Sequence, residues 1–359
     1  MIITISCNII IIEGKRRDYG GDIVFEKIKS ISIELTDRCN LLCKHCSTEA
    51  APDKDTFISL DAFEKLLYSA KELGAEFLSL SGGEPLLHPE IEKMVKKASD
   101  LNYNINIYTS GVMKNNNVIS KKRLLFLKEH VDTLIFSIFS DENNLHDYIT
   151  GVTGSFNTTI NSIEAALEHN INTEIHTVPM SVNYKKIPQI IELANNLGIN
   201  QVSLLRLVPQ GRCTENKNLI MDSLEVEELK SIVKRLENNK KDIIIRKGAP
   251  YKCLFIDEAD NCSAAEDKIL ISPNGDVHPC EAFKSDKAVS NINQHDLYYI
   301  WQNDKRLNQL RELNKYKISN CNNCSQLEDC KGGCPGQRWL EYKDVLIGPD
   351  PGCIEYEIK

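Results

Sequence analysis

Three cysteines near the amino end constrain this chain more than any other feature of its sequence. Cys39, Cys43 and Cys46 follow the spacing C-x3-C-x2-C. A structural zinc site or a fully protein-ligated iron–sulfur cluster uses four protein ligands, so three thiolates leave one position open. Three thiolates can hold three irons of a [4Fe–4S] cube, and the fourth iron then has an open site for chemistry. On spacing alone, a zinc knuckle with a distant fourth ligand and buried structural cysteines are the alternatives.

The composition favours metal or redox work for the thiols. Among 359 residues there are 13 cysteines, and 43 basic against 51 acidic residues give a net charge of −8. A chain of this length predicts two domains, or a barrel with an appendage. The negative charge argues against a general binder of nucleic acids or membrane surfaces, since both attract a basic face.

The first residues do not resemble a secretory leader, because they lack a basic segment and polar residues interrupt their apolar character. No apolar run approaches the roughly 18 residues of a membrane span. We therefore expect a reducing, cytoplasmic location in which the cysteines bind metal. Residues 1–28 predict a strand pair, which is short for a separate winged-helix domain.

From residue 31 onward, short apolar runs alternate with amphipathic stretches. The runs predict strands at 31–35, 76–80, 104–108, 132–139, 172–178 and 201–208. The amphipathic stretches predict helices at 60–73, 89–101, 120–129, 156–169, 184–197 and 224–238. Successive βα units predict an α/β fold with a parallel sheet. Curled, this sheet is a partial TIM barrel with its function at the carboxyl ends of the strands, and a doubly wound sheet is the alternative.

A glycine-rich segment follows the second predicted strand. Gly82 and Gly83 would let the backbone approach a ligand closely, and Glu84, followed by Pro85, offers a carboxylate that complements an ammonium group. Alone, this segment also fits an ordinary βα turn. Its significance comes from the cysteine loop upstream.

Together, the cysteine loop and the Gly82-Gly83-Glu84-Pro85 segment resemble the signature of the radical S-adenosylmethionine (SAM) superfamily, and the resemblance covers residues 30–240. It implies a six-stranded partial barrel in which the open iron chelates the amino and carboxylate groups of SAM. The reduced cluster would cleave SAM to methionine and a 5′-deoxyadenosyl radical, which abstracts hydrogen from substrate. The resemblance also implies that the glycine-rich segment and Glu84 hold the SAM amino group. His45 takes the place of the family's usual Tyr, Phe or Trp near the adenine.

Two serines at strand ends and one arginine within a strand are further candidates for SAM contacts. The hydroxyls of Ser110 and Ser137 could bond the ribose or the SAM carboxylate, and helix capping or turn formation is their other interpretation. Arg206 lies within an apolar run and needs a partner, either the SAM carboxylate or a structural salt bridge. Residues 210–212 could touch substrate. Three isolated histidines are interpreted as structural: His88, His146 and His176.

Eight further cysteines gather in the last third of the chain and make two sets of four: Cys253, Cys262, Cys280, Cys321, Cys324, Cys330, Cys334 and Cys353. C-x2-C pairs are also common in zinc ribbons, so two zinc ions are the alternative. The pattern resembles the SPASM extension of radical SAM peptide-modifying enzymes, which carries two auxiliary [4Fe–4S] clusters. Three clusters in all are therefore implied.

The family's ligation, carried across, assigns the first auxiliary cluster to Cys253, Cys262, Cys280 and Cys334. It assigns the second to Cys321, Cys324, Cys330 and Cys353, and it leaves Cys7 and Cys213 as ordinary thiols. Sulfatase-maturing relatives have an Asp after the cysteine that corresponds to Cys280, and this Asp takes a proton from substrate. Glu281 stands there in this chain, as a general base or as a solvated carboxylate. The expected domains are a strand pair at 1–28, a radical SAM barrel at 29–240 and a SPASM domain at 241–359.

The resemblance implies a radical enzyme that forms a thioether or carbon–carbon crosslink in a ribosomally made precursor peptide. A sulfatase-type maturase that makes formylglycine and a small-molecule enzyme of the tetrapyrrole type are the alternatives. A non-enzymatic electron carrier would leave the glycine-rich segment without a role. Expected partners are the precursor peptide, a reductant such as flavodoxin or ferredoxin, and a separate leader-recognition protein. Nucleic acid and membrane are not expected partners.

Overall fold

The computed structural model describes residues 10–12, 15–17, 23–24, 27–239, 242–248, 251, 254–255 and 261–353. Near the amino end, three short strands form an antiparallel sheet: β1 (Ile10–Ile12), β2 (Lys15–Arg17) and β3 (Ile23–Val24). The expected strand pair is therefore a three-stranded sheet. Its middle strand was missed because three basic residues carry no apolar pattern to indicate it.

A ten-stranded sheet dominates the rest of the described chain. Its strands are β4 (Ser30–Glu34), β5 (Phe77–Ser81), β6 (Asn104–Thr109), β7 (Thr133–Ser137), β8 (Thr173–Thr177), β9 (Gln201–Leu204), β10 (Ile244–Lys247), β11 (Lys268–Ile271), β12 (Asp276–His278) and β13 (Ser290–Asn291). Strands β4 to β10 lie side by side in chain order and are parallel. On the other edge of β4, β11 also pairs in parallel, and β12 and β13 continue antiparallel.

Helices connect the parallel strands: α1 (Leu60–Glu72), α2 (Ile91–Asp100), α3 (Lys121–His130), α4 (Asn143–Thr150), α5 (Ser155–Glu168), α6 (Ile187–Asn196) and α7 (Ser223–Asn239). Helices from successive units pack on one another, α1 on α2, α2 on α3 and α6 on α7. Because the strand order follows the chain without reversal, the helices share one face, as in a barrel wall. The predicted partial TIM barrel is confirmed, and the doubly wound alternative is wrong.

The alternation of residues along the strands explains which face the helices cover. Ile31, Leu78 and Ile105 are fully buried and belong to the main apolar core. Polar residues alternate with these apolar ones along each strand. Ser32 in β4 and Ser79 in β5 are examples, and they are neighbours across the two strands. Period-two alternation thus gives the sheet an apolar outer face under the helices and a polar inner face.

The sheet continues beyond the expected boundary at residues 240/241. Strand β10 pairs with β9, and β11 pairs with β4, so both edges of the barrel wall come from the C-terminal part. After β13 the described chain forms α8 (Leu297–Asn303), α9 (Lys305–Arg311), α10 (Leu327–Cys330) and α11 (Pro335–Tyr342). No helix in the described ranges has the length and apolar character needed to cross a bilayer.

Candidate functional site

The cysteine loop, residues 39–46, follows β4 at the carboxyl end of the barrel wall. Its backbone is fixed by the end of α4. Leu42 N and Lys44 N donate to Thr150 O and Ile149 O, each at 2.9 Å. Both acceptors are carbonyls in the last turn of α4, which have no partner within the helix, so the loop completes the end of that helix.

Arg212 holds the same loop from the far end of the barrel wall. Its Nε donates to Cys43 O at 2.9 Å and its Nη2 donates to Ala50 O at 2.8 Å. Its backbone N–H donates to Cys46 O at 3.1 Å. Sequence reasoning did not find this role, because all three partners are backbone carbonyls distant along the chain. The contacts connect the end of the wall beyond β9 to the loop that follows its first strand.

The three thiols of the loop are free and lie close enough to influence one another. Burial raises the pKa of Cys39 to about 12, and the Glu84 charge adds to the effect. Burial also raises the pKa of Cys43, as do the charges of Cys39 and Cys46. Burial and mutual repulsion outweigh the favourable charge of Arg212 at Cys39 and Cys43, which suits a site where a positive metal centre takes the place of the protons. The donor set therefore fits an iron–sulfur cluster.

The two glycines after β5 allow close contact with the strand that enters the cysteine loop. Gly83 N donates to Thr36 O at 2.6 Å. A Cβ atom added at Gly83 would lie 2.1 Å from Arg38 O, and one added at Gly82, which has φ +125°, would lie 2.4 Å from Thr36 O. The space that the glycines leave is thus filled by backbone of this chain, which locks the glycine-rich segment to the cysteine loop.

Glu84 is 1% exposed and joins the ends of β5 and β6. Its Oε2 accepts from Ser110 N at 2.8 Å and from Ser110 Oγ at 2.7 Å, and its Oε1 accepts from Thr109 Oγ1 at 2.8 Å. Burial raises its pKa, although these hydrogen bonds oppose the effect. The Ser110 hydroxyl also accepts from Val112 N at 3.2 Å, which matches the turn-forming interpretation of Ser110.

A group of neutral imidazoles lies beside the cysteine loop. The His45 ring meets Phe139 edge-on at 4.6 Å between centroids, and burial lowers the pKa of His45 to about 3. His176 Nε2 is 3.0 Å from Ser137 Oγ, and burial lowers the His176 pKa to about 4. Within the described residues, the Nδ1 atoms of His45 and His176 are buried without a hydrogen-bond partner. Two donor or acceptor positions are thus available to a ligand.

His146 and His176 stand apart in the sequence but lie close together in the fold, and their structural interpretation stays a prediction. His146 Nδ1 accepts from Phe139 N at 3.3 Å, and its ring lies 5.6 Å from the Phe139 ring. His176 and His146 both contribute to the lowered pKa of His45, so the three are neighbours. His88 matches its structural interpretation, since its Nε2 bonds Ile58 O at 2.9 Å. The sequence hides the grouping because the three histidines are far apart along the chain.

Arg206 makes the salt bridge rather than facing an open ligand site. Its two terminal nitrogens reach the two carboxylate oxygens of Asp350 at 2.8 and 2.5 Å, and both side chains are at least nine-tenths buried. Asp350 also accepts from Cys334 N and Gly352 N, each at 2.8 Å. One ion pair thus ties the end of the barrel wall to the segments that carry Cys334 and Cys353.

The C-terminal cysteines in the described chain form two groups. One group lines a single cavity: Cys321, Cys324, Cys330 and Cys353. In the other, burial raises the pKa of Cys280, and the nearby thiols of Cys262 and Cys334 raise it further. The described members of each group are those that the resemblance places together, with Cys334 crossing back, and their ligation of clusters stays a prediction. Cys253 and Cys7 lie outside the described residues.

The zinc alternative gains no support from the geometry. A tetrahedral zinc with Zn–S bonds of about 2.3 Å needs sulfur atoms roughly 3.8 Å apart. Across the described ranges, no three His, Cys, Asp or Glu side chains converge on a single-ion site. Cys213, the other described thiol, is buried in a small apolar cluster with Phe139 and Leu207, as an ordinary thiol would be.

Glu281 faces the cysteine loop. Its Oε2 accepts from Ser47 Oγ at 3.3 Å and from Lys284 Nζ at 2.9 Å. Lys284 Nζ also bonds Glu34 Oε1 at 2.5 Å. Burial opposes ionisation of Glu281, but Lys284 prevails and lowers its pKa, whereas burial raises the pKa of Glu34 to about 7. Sequence reasoning missed Lys284 and Glu34, although a lysine one helical turn after Glu281 is a weak signal for a partner.

Two family models match the chain. The model described as the Radical SAM superfamily covers residues 33–194, and SPASM, described as an iron-sulfur cluster-binding domain, covers residues 262–325. These matches include the cysteine loop and several of the C-terminal thiols. The radical SAM domain uses SAM with a [4Fe–4S] cluster, and the SPASM domain binds additional iron–sulfur clusters.

Curated relatives cover much of the chain at low identity. The antilisterial bacteriocin subtilosin biosynthesis protein AlbA of Bacillus subtilis is 27% identical over 74% of this chain, which spans only 58% of AlbA. PqqA peptide cyclase of Bradyrhizobium diazoefficiens is 25% identical over 90% of this chain and 85% of its own. AdoMet-dependent heme synthase of Methanosarcina barkeri is 26% identical over 90% and 95%.

Solved structures show the same fold. Streptococcus suis SuiB bound to precursor peptide SuiA superposes with a TM-score of 0.75 at 20% identity, over 92% of this chain and 77% of SuiB. The anSMEcpe structure with bound AdoMet and Cp18Cys peptide gives 0.70 at 15% identity, over 91% and 95%. Fold, cysteine groups and family matches agree. The chain is an enzyme that carries a radical SAM domain and a C-terminal SPASM domain.

Proposed function

We propose that this enzyme forms a thioether or carbon–carbon crosslink in a ribosomally made peptide. The observation that carries the proposal is the hydrogen bond from Ser47 to Glu281. Ser47 follows Cys46 and Glu281 follows Cys280, so the bond brings the SAM-side loop and the first C-terminal thiol group together. A peptide side chain bound beside this contact would lie within reach of both.

The names of the relatives support a peptide substrate. AlbA is named for biosynthesis of the bacteriocin subtilosin, PqqA peptide cyclase is named for a peptide, and the SuiB structure contains its precursor peptide. Those substrates belong to those proteins. For this chain they favour a peptide of the same general kind without identifying it.

We assign the SAM-side cluster to Cys39, Cys43 and Cys46. For the first auxiliary cluster we assign Cys262, Cys280 and Cys334, with Cys253 as the predicted fourth ligand. For the second we assign the cavity-lining set: Cys321, Cys324, Cys330 and Cys353. To the SAM pocket we assign Gly82, Gly83, Glu84, Pro85, His45, Ser110 and Ser137. Arg206 is omitted because Asp350 engages its guanidinium.

When bound, the clusters and SAM supply the 5′-deoxyadenosyl radical and a place for the electron that remains after hydrogen abstraction. The chain's own residues hold the cysteine loop and the groups beside it in position. Arg212 and the end of α4 fix the loop, and Glu84 fixes Ser110 beside it. Glu281, kept ionised by Lys284, is placed to take a proton from substrate. A low-potential reductant such as flavodoxin or ferredoxin, and a separate leader-recognition protein, complete the proposal.

Iron content and product mass test the proposed function together. Anaerobically reconstituted protein should bind about 12 irons if three [4Fe–4S] clusters are present. With dithionite and SAM it should form 5′-deoxyadenosine. A short peptide encoded beside the gene, co-expressed with the enzyme, should lose two hydrogen atoms by mass spectrometry. About four irons with two zincs, or a peptide of unchanged mass, would contradict the proposal.

The same measurements separate the other two enzymatic candidates. A sulfatase-type maturase, favoured by the fold shared with anSMEcpe, would replace the sulfur of a cysteine by oxygen with loss of two hydrogens. A tetrapyrrole enzyme, favoured by the heme synthase relative, would leave every peptide unchanged and consume an added tetrapyrrole precursor of haem. The expected crosslink has neither signature.

Gly211→Ala is expected to damage the SAM-side site. Gly211 has φ +58°, and an added Cβ would lie 2.5 Å from Cys46 O and 2.8 Å from Ser47 O. The clash is with backbone, so the cysteine loop must shift. We expect the loss of about one cluster's iron, roughly four atoms. We also expect the rate of 5′-deoxyadenosine formation to fall at least ~10-fold, which corresponds to about 1.4 kcal/mol of activation free energy.

Gly198→Ala is the matched control. Gly198 also has positive φ, +76°, but an added Cβ meets no atom within 4 Å. Both variants carry the left-handed strain of about 1–2 kcal/mol, and only Gly211→Ala touches the loop. Equal iron content and equal product formation in the two variants would contradict the loop-positioning role of Gly211.

A further inference from the structure

A cavity of about 380 Å³ lies between the end of β4 and the β11–β12 hairpin, outside the thiol groups. Volumes of this order suit a small ligand or a side chain with its backbone. Its lining includes Ser47, Thr48 and Gly211, which flank the cysteine loop. Whatever occupies the cavity therefore lies next to the SAM-side site.

The charged lining is acidic, with five carboxylates and one lysine: Glu34, Asp37, Glu49, Asp276, Asp286 and Lys284. Lys284 is already shared between Glu34 and Glu281. Exposed Lys343 reaches Asp286 only at 3.8 Å. The cavity thus retains negative charge that the described side chains do not neutralise.

Neutral donors orient these carboxylates without removing their charge. Thr56 donates its backbone N–H and its hydroxyl to Asp37 at 2.8 and 2.7 Å. Trp339 Nε1 donates to Asp286. Carboxylates held in this way are pre-arranged acceptors, which favours a charged donor over water.

Gln210 supplies an independent indication of a ligand. It lines the cavity and is 3% exposed. Its Nε2 donates to Glu281 O at 2.6 Å, yet its Oε1 is buried with no hydrogen-bond partner in the described part of the chain. A buried acceptor without a donor has lost its hydrogen bonds to water without replacement, which is destabilising. A ligand that brings N–H groups would recover that cost.

A single metal ion is a poor fit, because no three His, Cys, Asp or Glu side chains in the described ranges converge on one point. The acceptors are spread along the cavity, as an extended cation with several N–H donors requires. We propose that this cavity binds a cationic side chain, arginine or lysine, of the peptide substrate. The inference rests on the proposed function, since it names a feature of that substrate.

Peptide binding to the reconstituted holoenzyme, with saturating SAM, tests the proposal. The probes are two fluorescein-labelled peptides, (Gly-Ser-Arg)4 and (Gly-Ser-citrulline)4, which have nearly the same shape but differ in charge. By anisotropy, the arginine peptide should bind at least ~10-fold more tightly, or about 1.4 kcal/mol. In Glu49→Gln/Asp286→Asn, which keeps both acceptors and removes two charges, this preference should fall at least ~5-fold.

The matched control is Glu129→Gln/Glu168→Gln, which changes the net charge equally. Both residues are exposed near the carboxyl ends of α3 and α5. These helix ends lie at the opposite edge of the barrel wall from the cavity. The control should keep the arginine preference. Equal loss in both double variants would mean general electrostatic attraction and would overturn the site.

Two further outcomes overturn the inference. One is equal binding, or none, of the two peptides, and the other is loss of arginine-peptide binding when SAM is added, which would assign the cavity to SAM. 5′-Deoxyadenosine formation without peptide is measured in the same samples. If it proceeds while arginine preference is absent, this inference fails and the proposed function stands. If 5′-deoxyadenosine formation is absent, the proposed function itself fails.

Discussion

Cys43→Ala is expected to abolish 5′-deoxyadenosine formation, to below about one-thousandth of the wild-type rate, or roughly 4 kcal/mol. Cys43 lies at the centre of the loop, and the charges of both neighbouring thiols raise its pKa. With two thiolates left, the SAM-side cluster loses a ligand that no nearby cysteine can replace. Iron should fall from about 12 to about eight atoms per chain, measured together with product by anaerobic assay.

Cys213→Ala provides the comparison for that experiment. Cys213 is fully buried among apolar residues, so its loss should cost about 1 kcal/mol of stability. Iron content and 5′-deoxyadenosine should match the wild type. If Cys43→Ala retained product formation, or if both variants lost the same iron, the assignment of Cys39, Cys43 and Cys46 would be wrong.

Asp350→Ala is expected to destabilise the chain by about 3–5 kcal/mol, because it removes the carboxylate that both terminal nitrogens of the buried Arg206 guanidinium bind. It also removes the acceptor for Cys334 N and Gly352 N. Auxiliary iron should therefore decrease while the SAM-side cluster remains. Urea denaturation followed by circular dichroism measures the stability, and iron analysis measures the clusters.

An exposed ion pair offers a control of matched chemistry. Arg38 and Asp55 are 2.8 Å apart with side chains 39% and 76% exposed, so Asp55→Ala should cost less than about 1 kcal/mol. A double variant, Arg206→Met/Asp350→Leu, should recover part of the stability lost in Asp350→Ala, since no buried charge stays unpaired. Similar losses of stability in Asp350→Ala and Asp55→Ala would show that the buried ion pair does not hold the C-terminal segments to the barrel wall.

Local pattern was sufficient to predict most of the barrel wall. Helix α1 was expected at 60–73 and occupies Leu60–Glu72, where Ser59 caps it by accepting from Ala62 N at 3.2 Å. Strand β6 was expected at 104–108 and occupies Asn104–Thr109. These elements carry their signals within a few residues, as apolar period, cap and turn.

Strands β10 and β11 did not carry such signals. β10 is a four-residue strand that ends in Arg246 and Lys247, and its backbone is held extended by pairing with the edge of β9. Cysteine spacing indicated the groups of thiols, but not Arg212, Lys284 or Glu34. Arg212 and Glu34 bind partners that are far away along the chain, and Lys284 joins one such partner to its near neighbour Glu281. Patterns in a single sequence do not indicate contacts of this long range.

The pairing of β11 with β4 has a consequence for how the protein can be divided. Residues 30–34 and 268–271, which are far apart along the chain, must pair before the strand that leads into the cysteine loop has neighbours on both sides. A shortened chain that stopped at residue 240 would expose β4 and β9 as open edges, which invite aggregation. The cysteine loop and the C-terminal half therefore share one sheet, and we expect a chain divided at residue 240 to lose a strand that supports the loop.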